Sequence, residues 1–200
     1  EDGTTNIHPM WSPSNKKFAY LSNADKDYFS QTDLYTYNFS DSSTKKIDSG
    51  VFSCPIWIND STLVYSKKSK PNKNGSKFYD LYLSSTNKKK NKPERLTTDM
   101  RLTSPSVNKQ KNKIAATGIS DGTSNIFEAN FDLDSLEKIQ FKKVTNYLNG
   151  EKIFSLSYSN NDIIFDMLIS FKVSNNNKPL SPCIKLMLIK IAFYSMLIVV

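Results

Sequence analysis

One motif returns at a near-constant step along this chain, and that period limits the fold more than any other feature. It reads PMWSPSNKKFAYLS from Pro9 to Ser22 and PIWINDSTLVYSKK from Pro55. Looser copies are PSVNKQKNKIAATG from Pro105 and FSLSYSNNDIIF from Phe154 to Phe165. Aligned two residues past the proline position, Trp11, Trp57, Val107 and Leu156 stand 46, 50 and 49 residues apart. A second marker keeps the step as DLYTYNF from Asp33, DLYLSST from Asp80 and NIFEANF from Asn125. A third closes each unit: TKKI ending at Ile47, ERLT around Leu96 and KKVT around Val144.

Each unit reads as four short strands. Pro opens the first, where a missing N–H does no harm. Polar turn residues follow, SPSNKK, INDS or NKQKNK, and then an apolar second strand: FAYLS, TLVYS, KIAAT or DIIF. A longer polar loop leads to the DLY strand, and a short turn leads to the fourth. Four antiparallel strands per 40–50 residues describe a β-propeller blade. The predicted fold class is therefore all-β, an incomplete propeller of about three and a half blades. The blades are expected at about residues 5–49, 50–97, 98–146 and 147–165, the last incomplete, with 166–200 an atypical apolar tail. So few blades leave the ring unclosed, and unpaired strand edges predict poor solubility or self-association.

The pattern PxWSPxxKKxAYxS, then DLY, then a closing R-L-T segment resembles the TolB-like, WD-type propeller repeat. The likeness covers about residues 5–165, close in the first unit and looser in the third and fourth. In place of the usual Asp-Gly turn stands Ser14-Asn15. The resemblance extends to the propeller domains of prolyl-oligopeptidase-type serine peptidases. It implies a non-catalytic protein-interaction module, exported to the bacterial periplasm and binding a protein at one propeller face. The alternative it leaves is a substrate-gating propeller whose catalytic domain lies outside this chain. No binding residue is assignable on this basis.

Charge and composition narrow the partners. The net charge of +8 comes from Lys, with Arg only at Arg95 and Arg101. Nucleic-acid sites favour the planar guanidinium fork, so no nucleic-acid partner is expected. The Lys runs at 67–77, 87–92 and 108–113 are mixed with Asn, Pro, Gly, Ser or Gln and read as solvated loops. A surface-anchored or polyanion-binding propeller is a third reading. One His and two distant Cys, Cys54 and Cys183, exclude the usual zinc sets and a disulfide framework, and no cofactor is expected. Cys54 reads as a small buried apolar residue. The chain starts at Glu1, which reads as a processed or internal start.

Candidate sites each carry a plainer reading. Gly118-Ile119-Ser120-Asp121-Gly122 fits the G-x-S-x-G elbow, but no helix pattern follows and the lone His8 precedes it, so Ser120 reads as a turn residue and the chain as no enzyme. Asp25, Asp27 and Asp33 superficially suggest a calcium loop, yet their spacing is not that of an EF-hand and Lys26 intrudes. No metal site is therefore expected. Trp11 and Trp57 share a repeat position and read as packing between blades rather than a stacking platform. Asn38, Asn59 and Asn74 open glycosylation-type triplets, which an Asn- and Ser-rich chain produces often.

After Phe165 the repeat stops. The stretch Ile184–Val200 is apolar but carries Lys185 and Lys190, and is short for a bilayer span. It reads as a membrane anchor, as a buried segment, or as translation outside the reading frame of the blades. The last is favoured by the absence of acidic residues after Asp166.

Overall fold

The computed structural model describes residues 4–28, 30–87, 92–108, 110–134, 139–170 and 184–187. The chain divides into two compact units, Glu1–Pro105 with Asp132–Ile139, and Ser106–Phe131 with Gln140–Val200. Every regular element among the described residues is a strand.

Blade 1 comprises β1 (Asn6–Trp11), β2 (Lys17–Ser22), β3 (Asp33–Asn38) and β4 (Ser43–Ser49). Blade 2 comprises β5 (Ile56–Asn59), β6 (Thr62–Lys68), β7 (Tyr79–Ser85) and β8 (Glu94–Arg95). Blade 3 comprises β9 (Leu102–Val107), β10 (Lys113–Ser120), β11 (Thr123–Asn130) and β12 (Lys142–Lys143). Blade 4 comprises β13 (Lys152–Ser159), β14 (Asp162–Ser170) and β15 (Ile184–Met187). Strand order within each sheet follows chain order, giving three four-stranded sheets and one three-stranded sheet. The remainder of the Ile184–Val200 stretch, Cys183 and most of the 87–92 Lys run lie outside the described residues.

Local chemistry accounts for the turns. The Ser12 amide donates to the Lys17 carbonyl at 2.9 Å, closing the β1–β2 turn. Asn15 takes the left-handed conformation there, at φ 59°. Asn tolerates that region, which explains how it replaces the Asp-Gly of the family pattern. In the β10–β11 hairpin, Asp121 and Gly122 both have positive φ, the geometry a tight two-residue hairpin needs. His8 and Ser104, each just before a proline, also have positive φ. At His8 this coincides with the register shift between Ile7 and Met10, a bulge that re-aims the start of the first strand.

Strand alternation sorts the side chains of each blade onto two faces. In the first unit, blade 1 turns Met10, Ala19, Leu21, Leu34 and Ile47 forward. Blade 2 meets them with Val51, Trp57, Leu63, Tyr65 and Tyr82 from its rear face. The Trp57 indole donates to the Met10 carbonyl at 2.8 Å, so the one polar atom of this large side chain is satisfied inside the contact. The second unit repeats the arrangement. Ala115 and Ile126 of blade 3 meet Ile153, Ile163, Phe165 and Met167, with Leu156 and Tyr158 packed alongside.

Candidate functional site

A polar clasp recurs at one position near the start of the third strand, Asp33, Asp80 or Asn125. Asp80 is fully buried. Its carboxylate accepts from the Arg95 guanidinium at 2.6 Å and the Thr97 hydroxyl at 2.9 Å. The backbone amides of Asp99 and Met100 also donate to it, at 3.2 Å each. The Thr97 hydroxyl in turn accepts from the Leu81 amide, so one threonine ties the fourth strand to the third. In blade 3 the same position is Asn125, which keeps the threonine bond, from Thr145 at 3.1 Å, and a backbone bond, from Tyr147 at 2.7 Å. With the acid gone, the basic residue that matches Arg95, Lys143, donates instead to Asn146.

Blade 1 solves the same position differently. Asp33 is fully buried and lies 2.5 Å from the Lys46 ammonium and 3.0 Å from that of Lys26. Burial pushes its carboxyl up, but the Lys46 hydrogen bond, the Gly50 amide and Lys26 outweigh this and hold it below the usual range. A carboxyl depressed on folding contributes stability above its unfolded pKa of about 3.9, and that contribution is lost as pH falls through the folded value. Asp33→Asn should therefore flatten the acid limb of stability, measured by urea melts from about pH 5 to about pH 2.

The sequence candidates fall as follows. Ser120 ends β10 in the exposed hairpin, pairs in register with Thr123, and its hydroxyl bonds the Asp121 carboxylate at 3.2 Å. It sits on a strand-to-strand turn and not on a strand-to-helix elbow. His8 is exposed on β1. Of the acidic trio, Asp33 is the buried ion-pair member just described, while Asp25 accepts from the Tyr35 hydroxyl at 2.5 Å. Asn59 is occupied as an acceptor for Ser61, and Asn74 is exposed in the β6–β7 loop. Cys54 is half-buried and reduced, its thiol pushed up by burial.

Two expectations change. Lys67 and Lys68 belong to β6 rather than to a solvated loop. Asp48 takes the Lys67 ammonium at 2.7 Å, and the Tyr79 ring takes that of Lys68. The two tryptophans also differ. Trp57 is 3% exposed, whereas Trp11 is 54% exposed and stacks on Phe39 at 5.3 Å.

Antiparallel order sends the connections between second and third strands, and those between consecutive blades, to one edge of each blade. On that edge stand exposed apolar side chains: Tyr28 and Phe52 in the first unit, Ile119 and Leu148 in the second. Phe52 is steadied by the Tyr79 ring at 4.7 Å. Sequence reasoning did not single these residues out, because which edge of a blade a loop emerges from is defined only by the fold. It quoted the DLY aspartate and the closing basic residue as separate markers and missed their pairing.

No family model and no curated relative matches the chain. Solved structures do. TolB from Acinetobacter baumannii aligns with a TM-score of 0.58 at 15% identity, over 83% of this chain and 40% of that one. A prolyl endopeptidase aligns at 0.62 and 11% identity, over 82% of this chain and 25% of its own. The β-propeller domain of the trilobed protease from Pyrococcus furiosus aligns at 0.57 and 12%, over 81% and 49% respectively. The chain thus spans between 25% and 49% of these proteins' lengths. The fold is all-β and built of TolB-like propeller blades, fewer than a complete propeller holds.

Proposed function

We propose that this chain is the propeller part of an exported, non-catalytic protein-binding module of the TolB kind, acting in the bacterial periplasm. The observation that carries the reading is one edge of the blades: in each unit, exposed apolar side chains stand at the edge where the connections from second to third strand and from blade to blade emerge. Tyr28 is 67% exposed and Leu148 72%, and a loop with no partner gains nothing from presenting such groups to water. Aromatic and aliphatic anchors set in polar loops match the composition of protein-binding patches. A photo-crosslinking residue at Tyr28 or Phe52, both on that edge of the first unit, in the chain expressed in a periplasm, should give one shared protein adduct. Ser40, at the opposite edge, should give none. Adducts of the same kind from all three positions would contradict this reading.

A second reading keeps the propeller and changes its service. The likeness to a prolyl endopeptidase is as good as that to TolB, so the blades also suit a gate over a catalytic domain encoded elsewhere in the protein. Sequencing the coding DNA well beyond codon 166 discriminates: a downstream hydrolase domain with Ser, Asp and His in that order selects the gate. Continued repeats with nothing catalytic after them select the binding module.

A further inference from the structure

One edge of blade 2 gathers cations that the fold does not neutralise. Lys68, Lys70, Lys73 and Lys77, around the β6–β7 loop, are exposed, as is Arg101 in the connection to blade 3. Among the described residues none of them reaches a carboxylate. Elsewhere in the first unit Lys26, Lys46, Lys67 and Arg95 each have one. The two acids at this end of the blade, Asp80 and Asp99, are both taken by Arg95.

The loop that carries these lysines is tied down. The Ser69 amide donates to the Phe78 carbonyl at 2.7 Å, and the Ser69 hydroxyl accepts the Phe78 amide at 3.3 Å. The Asn72 side chain accepts the amides of Asn74 and Ser76, at 3.0 and 3.1 Å, and donates to Asp99 at 3.2 Å. Like charges held on one edge repel one another, and an anion from outside the chain offsets that repulsion.

The aromatic side chains here narrow what that anion is. The Lys68 ammonium lies 5.4 Å over the Tyr79 ring, and the Arg101 guanidinium 4.6 Å over the Phe78 ring. With those ring faces capped by cations, nucleic-acid bases find no stacking platform on them. Phe52, 56% exposed and packed on Tyr79 at 4.7 Å, is the apolar anchor that this edge of blade 2 offers. One such ring gives a bilayer little to hold, but it suits a single apolar side chain.

We infer that blade 2's part of the binding edge takes an acidic segment of a partner protein, with carboxylates against Lys70, Lys73 and Lys77 and an apolar side chain against Phe52. The inference rests on the reading of that edge as the binding surface.

The probe is a fluorescein-labelled peptide, Glu-Glu-Phe repeated four times, titrated with the chain and read by anisotropy. It should bind the parent and weaken about tenfold in Lys70→Glu with Lys73→Glu. Lys16→Glu with Lys92→Glu, in the turns of the opposite edge, changes the net charge equally and should leave binding within about twofold. Equal weakening in both variants would mean that net charge alone attracts the peptide, and would overturn the inference. A peptide that fails to bind would overturn it as well. Heparin or phosphatidylglycerol vesicles bound through Lys70 and Lys73 in its place would identify a polysaccharide or a lipid as the anion. The photo-crosslinker at Phe52 separates the two readings. Its adduct should be lost in Lys70→Glu with Lys73→Glu and kept in Lys16→Glu with Lys92→Glu. An adduct that survives the first pair would overturn the acidic partner and leave the binding edge standing. No adduct from the parent would remove the edge, and this inference with it.

Discussion

Asp80→Ala should be among the most damaging single substitutions in the chain, with a loss of about 3 kcal/mol in the unfolding of the first unit. The carboxylate is fully buried and takes four donors, from Arg95, Thr97, Asp99 and Met100. Its removal strands those donors; Arg95 is partly exposed and recovers some hydration, which keeps the loss at the low end for a broken buried pair. Asp80→Asn should cost less, about 1–2 kcal/mol. Asn125 shows that an amide at this position still accepts from the threonine and from a backbone amide. Adding Arg95→Gln to Asp80→Asn should then cost little more, because blade 3 already runs without the ion pair. A double-mutant cycle by urea melts checks this, and additive losses would contradict the clasp as described.

Trp57→Ala should cost about 3–5 kcal/mol, whereas Trp11→Ala should cost well under that, although both residues follow Pro by two in the same motif. Trp57 loses a covered ring and leaves a cavity among Ala19, Leu21, Leu34 and Tyr65, with its indole bond to Met10 gone. Trp11 is more than half exposed and packs on Phe18 and Phe39. Thermal or urea melts followed by far-ultraviolet circular dichroism measure both. Equal losses would mean that the rear face of blade 1 is covered in solution.

That contrast also marks how far the sequence alone could be read. Strand number and order were legible in the first three blades, because the Pro-x-Trp, DLY and closing segments recur in one order and fall where the strands lie. The second strands were plain from Phe18 to Leu21 and from Leu63 to Tyr65, where apolar residues crowd a short run. Coverage was not legible. The segments around Trp11 and Trp57 are nearly the same, and whether a ring is buried depends on the neighbouring blade, not on its own strand. The clasp was half legible: the acid and the base were both visible, but their pairing depends on the register between the third and fourth strands. Lys67 and Lys68 were misread as loop because their charge suggests solvent. Asp48 and the Tyr79 ring hold them on the strand. Of the proposed binding edge only its place at one propeller face was legible and none of its residues, since Tyr28 and Leu148 lie in loops whose direction only the fold defines.

The chain folds as successive antiparallel blades at the period of its repeat, four-stranded in the first three. Amide hydrogen exchange read by mass spectrometry tests it most directly. Protection should come in blocks at the middle strands of each blade, around residues 17–38, 62–85, 113–130 and 152–168, with fast exchange in the loops around 23–32 and 69–78. Protection that ignores this period, or that runs unbroken through those loops, would contradict the account.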